Sequence, residues 1–218
     1  MIKLKYNNWN DITVEIYEKI KTIEFHDNMN EEELLDVNVK LLSILCDVNE
    51  DDIINLPLTD FSILVGKTEF LKELPKYNMY DYYEINGNVY EVHRNLRTMT
   101  TGQYIDFQTL YKDKEKNLKN LLACFLIPKG KKYGDGYDIM EVADELYKHM
   151  RIVDANSVMF FFTLQYQALT KVILTYSIKE MKKSLKREKD ETMREQLKEA
   201  INQAIQARHL ISNGIGII

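Results

Sequence analysis

Tyr82-Tyr83-Glu84-Ile85-Asn86-Gly87-Asn88-Val89-Tyr90-Glu91-Val92 is the stretch that decides the fold class. Asn-Gly offers two adjacent residues that tolerate positive φ, as a two-residue type I′ turn requires. The β-branched and aromatic residues on either side suit a pleated surface. The spacing predicts an antiparallel hairpin over residues near 82–93. Two strands are not stable in water without a covering helix or a further strand. The rest of the chain supplies helices, so the reading is an α+β fold, mostly α-helical, with a small hairpin packed on a helical core.

Upstream of the hairpin, Ile12, Ile16, Ile20 and Ile23 recur at helical spacing and predict a helix over 12–24, capped by Asn10 or Asp11. Asn30 followed by Glu33 forms a capping-box pattern that opens a second helix to about Cys46. Asn49-Glu50-Asp51-Asp52 starts a short turn of helix before Pro57. Thr59 predicts the cap of a third helix, using Phe61, Leu64, Val65 and Leu71 and stopped by Pro75. Downstream, residues 100–111 read either as a capped segment or as a strand. Leu118, Leu121, Leu122, Phe125 and Leu126 predict a helix closed by Pro128. Lys129 to Gly136 is a basic, glycine-bearing loop, and Asp138 to Met150 reads as a helix. A long helix over 155–187 follows, with Asp154 as its cap, then one over 190–211. In that last helix Met193, Leu197, Ala200, Ala204, Ala207 and Ile211 form a heptad-like seam. Asn213-Gly214 resembles a C-cap, and the sequence closes on the apolar run 215–218. The basic cluster between Lys179 and Lys189 marks the strongest shift in composition. The expected organisation is a core over 1–176 and a helical extension over 177–218.

The 218 residues (25.8 kDa) fit one domain, or one domain with an appendage. With 45% hydrophobic and 29% charged residues, predominant disorder is excluded as a class. Eight glycines and three prolines are too few for a turn-rich sandwich or barrel. A net charge of −5 argues against a dedicated nucleic-acid binder. Cys46 and Cys124 both sit in apolar helical patterns and read as buried thiols, not a disulfide framework. The opening residues lack the apolar core and cleavage site of a signal peptide. Val158–Tyr176 is the most apolar stretch, but Thr163, Gln165, Gln167, Thr170 and Lys171 make it a core helix rather than a membrane span.

Chemical motifs fail on spacing. Gly66-Lys67-Thr68 ends like a P-loop, but the leading glycine position is Phe61 and no strand precedes it. Asp47, Asn49 and Asp51 match the odd positions of an EF-hand loop, but the obligatory glycine is Asp52 and the closing glutamate is Leu58. Glu145 and His149 share a helix face without further ligands, and no nucleophile-elbow motif is present. No catalytic, metal-binding or cofactor-binding residue is therefore assigned, and the chain is expected not to be an enzyme. The basic run 179–189 is broken by Glu180 and Glu188, as in a solvated or partner-facing helix. With Lys129, Lys131 and Lys132 it would form the phosphate-contacting set if nucleic acid were bound. Phe160, Phe161 and Phe162 cannot all point to one side of a helix, so part of that run is a candidate partner surface. The candidate partner-binding residues are Phe160, Phe161, Leu197, Ala204, Ile211, Ile215, Ile217 and Ile218.

Three stretches carry a resemblance. They are the helix from Phe61 to Pro75, the hairpin with the following Met99-Thr100-Thr101-Gly102-Gln103-Tyr104-Ile105-Asp106, and the helix from Asn117 to Phe125 running into Pro128, the basic loop and Tyr137-Asp138. This order is similar to small tailed-phage proteins, many from phages of gut Bacteroidetes (crAss-like phages among them), that are described as tail assembly chaperones. The similarity covers about residues 1–175, and Thr101, Gly102, Gln103, Tyr104 and Asp106 are its most specific piece. The resemblance implies a non-catalytic morphogenesis protein that binds another phage protein through apolar helix faces. The alternative it leaves open is a virion structural or packaged cargo protein in the capsid or portal-tail region. The implied partners are phage structural or tail proteins and a second copy of the chain. The implied location is the host cytoplasm during assembly, or the virion, with no membrane.

Overall fold

A computed structural model describes the chain except Met1, Asp27, Leu74, Lys76 and residues 213–218. The candidate residues Ile215, Ile217 and Ile218 lie outside the described residues. The fold is α+β and mostly helical, with one small antiparallel sheet. Among the described residues there are nine α-helices: α1 (Val14–Lys21), α2 (Glu31–Cys46), α3 (Glu50–Ile54), α4 (Leu58–Gly66), α5 (Thr101–Tyr111), α6 (Leu118–Phe125), α7 (Ile139–His149), α8 (Ile152–Arg187) and α9 (Glu191–Ser212). The strands are β1 (Tyr82–Ile85), β2 (Asn88–Val92) and β3 (Leu126–Pro128). The chain divides into two compact units, Met1–Met159 and Phe160–Ile218, so the division falls inside α8 and not at the 176/177 boundary expected from composition.

In the first unit the hairpin forms as the Asn-Gly pair dictates. Asn86 and Gly87 take φ of 51° and 80°, and Tyr83 stands opposite Tyr90. β3 pairs with β2 and extends the hairpin to a three-stranded sheet ordered β1-β2-β3. Tyr83, Ile85, Tyr90 and Val92 alternate inward and are buried. α6 packs against α7 and α5, and α7 also packs against α1. Phe107 and Phe125 meet at 5.4 Å between ring centroids. A second cluster joins Val39, Leu42 and Cys46 of α2 to Ile53 of α3 and Leu64 of α4.

Several boundaries differ from the sequence expectation. α1 is capped by Thr13, because the Asp11 carboxylate is engaged by the Asn7 amide and the Asn8 side chain. Ile12 and Val14 instead bond the backbone of Ile152 and Met150, an extended pairing that side-chain periodicity does not encode. The third helix follows Pro57 directly, ends at Gly66 and tightens into a 3-10 turn over Lys67–Lys72. The Trp9 indole N–H donates to the carbonyls of Phe70 and Glu73 at 2.9 and 2.8 Å, satisfying groups at the end of that turn. Thr100 caps α5, which settles 100–111 as helix. α8 begins at Ile152, so Asp154 lies within the first turn, where it accepts a 2.6 Å bond from Arg151 Nε.

In the second unit, residues 160–187 of α8 and all of α9 are joined by the three-residue connection Glu188–Asp190. Asp190 caps α9 by accepting from the Met193 amide at 2.9 Å. Ile178 of α8 and Ile201 of α9 are buried, 5% and 6% exposed. Along α9 Met193 is exposed, while the other expected seam residues, Leu197, Ala200, Ala204, Ala207 and Ile211, are half-buried and Ile201 beside them is buried.

Candidate protein-binding surfaces

The Thr101–Asp106 run is an anchoring device built into α5. Thr100 Oγ1 accepts from the Gln103 amide at 3.2 Å and closes the helix start. Gln103 is buried, and its Nε2 donates to the Cys124 carbonyl at 2.7 Å. That carbonyl belongs to the last turn of α6, and the residue four further on, Pro128, has no N–H to offer it. Gln103 therefore supplies the missing donor. Asp106 accepts from the Tyr133 hydroxyl at 3.0 Å, and Tyr133 also lies 3.6 Å from Cys124 Sγ. This fixes the basic loop after β3, which is also folded by turns at Gly130 and Gly134. Burial pushes the Cys124 thiol up to about 11, so the group behaves as an inert apolar side chain. The Tyr104 amide donates to the Thr100 carbonyl at 3.0 Å, its ring lies 6.5 Å from that of Phe107, and Gly102 has open space around it.

A second tie joins the hairpin to α7. Glu145 accepts from Tyr90 Oη at 2.5 Å and from Asn88 Nδ2 at 2.8 Å. Burial pushes the Glu145 carboxyl up, but the bonds from Tyr90, Asn88 and Asn86 outweigh it and hold it below the usual carboxylate range. Burial, then the bond to Glu145, pushes the Tyr90 phenol far up. These groups line a cleft of about 500 Å³ with Lys129, Tyr137 and Asp138. The Glu145 carboxylate is satisfied by these protein donors, so the arrangement secures the sheet on α7. Among the described residues no cluster of three or more His, Cys, Asp or Glu could hold a metal ion.

The exposed apolar surface is concentrated on helices. In the first unit a groove of about 400 Å³ runs between the N-terminal segment and α4. Ile2, Leu4, Leu56 and Ile63 form its walls and Leu64 its floor, with Lys3, Asp60 and Lys67 at the rim. Ile54 and Leu58, both exposed, extend the apolar character next to it in sequence. The second unit exposes Phe160, Leu164, Val172, Ile173 and Tyr176 on α8. Of the residues singled out from sequence, Phe160 is exposed and Phe161 is half-buried. Leu197, Ala204 and Ile211 are half-buried in the stripe that also buries Ile201. The α4 groove was missed in the sequence because Ile2 and Leu4 precede the first helix and carry no periodic signal. α8 is long and apolar enough to cross a membrane by length and composition.

Comparison with known proteins yields no matching family, no similar curated protein and no similar solved structure.

Proposed function

We propose that the chain is a non-catalytic phage morphogenesis protein of the tail-assembly-chaperone kind, which covers an apolar segment of another phage protein until that segment is assembled. The observation that carries this reading is the α4 groove. Ile63 at its wall is exposed, and Ile54 and Leu58 nearby are exposed too, although each would be buried in a self-sufficient core. Large apolar residues with a charged rim are the composition of a helix-in-groove or extended-segment binding site. The resemblance of the Thr101–Asp106 region to tail assembly chaperones supports the same reading and supplies the client class, a phage structural or tail protein.

The test is co-expression of the full chain with each structural protein of the phage in turn. The expected result is one client that remains soluble only in its presence. Ile63→Lys, at an exposed position that folding does not depend on, should abolish that rescue. Rescue that is unchanged by Ile63→Lys and by Leu58→Lys removes the groove from the mechanism.

A further inference from the structure

Along the C-terminal half of α8, Lys171, Lys179, Lys182 and Lys186 follow one another at steps of eight, three and four residues. At 3.6 residues per turn the four fall within an arc of about 80°, a straight row about 22 Å long. All four are exposed, and none forms an ion pair among the described residues. Elsewhere the helices of this chain pair their cations one turn away, Lys19 with Glu15 on α1, Arg194 with Glu191 and Lys198 with Glu195 on α9. The two glutamates that interrupt the basic run in the sequence lie off the row. Glu180 falls about 140° around the helix from its centre and pairs with Lys183 at 2.7 Å. Glu188 lies beyond the end of α8 and accepts from the Lys189 and Asp190 amides. Like charges one turn apart repel and weaken the helix that carries them. The row therefore contributes nothing to folding and is relieved by an external polyanion.

We propose that this row is a binding site for single-stranded nucleic acid, with the lysines on its phosphates and Tyr176 as a platform on which a base stacks. Tyr176 is 64% exposed, sits one turn before Lys179 at the edge of the row, and has no partner among the described residues. Cations along a line beside an exposed aromatic ring are the composition of a single-strand site. A duplex would engage the lysines but would leave Tyr176 unused, because its base faces are stacked inside. Residues 171–186 contain no Arg, Asn or Gln, the side chains that read base edges, so the contact is sequence-tolerant.

The charge distribution agrees with this occupant. The unit from Phe160 onward carries ten Lys and Arg against six Asp and Glu, so the negative net charge of the chain comes from the first unit. An anionic bilayer is a poorer occupant. A helix lying in a lipid interface presents an apolar face that inserts beside its lysines. Ile178, Met181 and Leu185, which flank this row, are buried or half-buried within the protein. The site lies in the second unit, whereas the client groove lies in the first, so either reading can fail without the other.

The experiment is fluorescence anisotropy of a labelled oligothymidylate of about 20 nucleotides titrated with the full chain. The expected dissociation constant is below about 100 µM at about 50 mM salt. Four phosphate contacts on a single strand give a slope of about −2.8 in log affinity against log salt, a loss of about 50-fold between about 50 and 200 mM. Lys182→Gln combined with Lys186→Gln should halve that slope. Tyr176→Ala should weaken oligothymidylate binding by about tenfold at unchanged slope. The same variant should bind polyphosphate, which has no bases, as wild type does. The three positions are exposed, so the circular dichroism spectra of the variants should match that of wild type. Absence of binding at about 50 mM salt, an unchanged slope in the double lysine variant, or equal losses on polyphosphate and oligothymidylate for Tyr176→Ala would overturn the proposal. So would a duplex of the same length bound at least as tightly as the single strand, or flotation with phosphatidylcholine–phosphatidylglycerol vesicles in place of nucleic-acid binding.

Discussion

Gln103→Leu is the sharpest perturbation of the α5 anchor. The side chain is 1% exposed and its amide sits 2.7 Å from the Cys124 carbonyl. Leucine keeps nearly the same volume and removes only the donor. The carbonyl cannot turn to the next helical turn, because Pro128 has no N–H and the Ile127 amide is placed in the β2–β3 ladder opposite Glu91. A buried acceptor left unsatisfied costs about 1–3 kcal/mol. For a chain of this length that corresponds to a fall in Tm of about 4–8 °C around a central loss of 2 kcal/mol. Urea denaturation followed by circular dichroism measures it, as a lower midpoint at unchanged slope. Gln103→Ala should be worse, by roughly a further 1 kcal/mol, because it adds a cavity to the same loss. A Gln103→Leu protein within about 0.3 kcal/mol of wild type would refute the reasoning and make the Thr101–Asp106 run a surface-recognition motif rather than an anchor.

Three other outcomes follow from the same geometry. Glu145→Gln should flatten the acid side of the stability profile. A carboxyl whose folded pKa is depressed contributes stability that is present above its unfolded value near 4.3 and is lost as pH falls through the folded value, so wild type and variant should converge in acid. Unfolding midpoints from pH 7 down to about 3 would measure this, and parallel curves would dismiss Glu145 as the titrating group. Both cysteines should resist iodoacetamide at pH 8 in the folded protein and react in urea, since burial holds each thiol above its usual value; rapid labelling of the native chain would contradict their placement. Ile201→Ala, at a buried position, should destabilise the second unit by about 2–4 kcal/mol, whereas Leu164→Ser, at an exposed one, should change stability by less than about 0.5 kcal/mol; hydrogen exchange across residues 160–212 distinguishes the two, and equal effects would mean the burial of Ile201 is misassigned.

Elements with a local chemical signature were legible in the sequence. The Asn30–Glu33 capping box and the Asn86–Gly87 turn each encode their structure within four residues, and each forms as read. What failed depends on partners distant in the chain. Leu126-Ile127-Pro128 is an apolar run without alternation, so nothing local separates the end of α6 from the start of β3 until β2 lies beside it. The pairing of Ile12 and Val14 with residues 150–152 is likewise a backbone event. Gln103 reads as a polar residue in an uncertain segment because its acceptor is a backbone carbonyl 21 positions away. α8 is apolar nearly all round, which suggested a core helix, yet Phe160, Leu164, Val172, Ile173 and Tyr176 are exposed along it. On α9 the expected seam is half-buried except for Met193, and the deepest burial falls on Ile201, which outweighs its neighbour Ala200 in apolar area.

The most direct test of the morphogenesis reading is quantitative mass spectrometry of purified phage particles against the infected-cell lysate. The chaperone account predicts a chain abundant in the lysate and absent from finished particles. A fixed copy number in the particle would contradict it and make the protein a virion component.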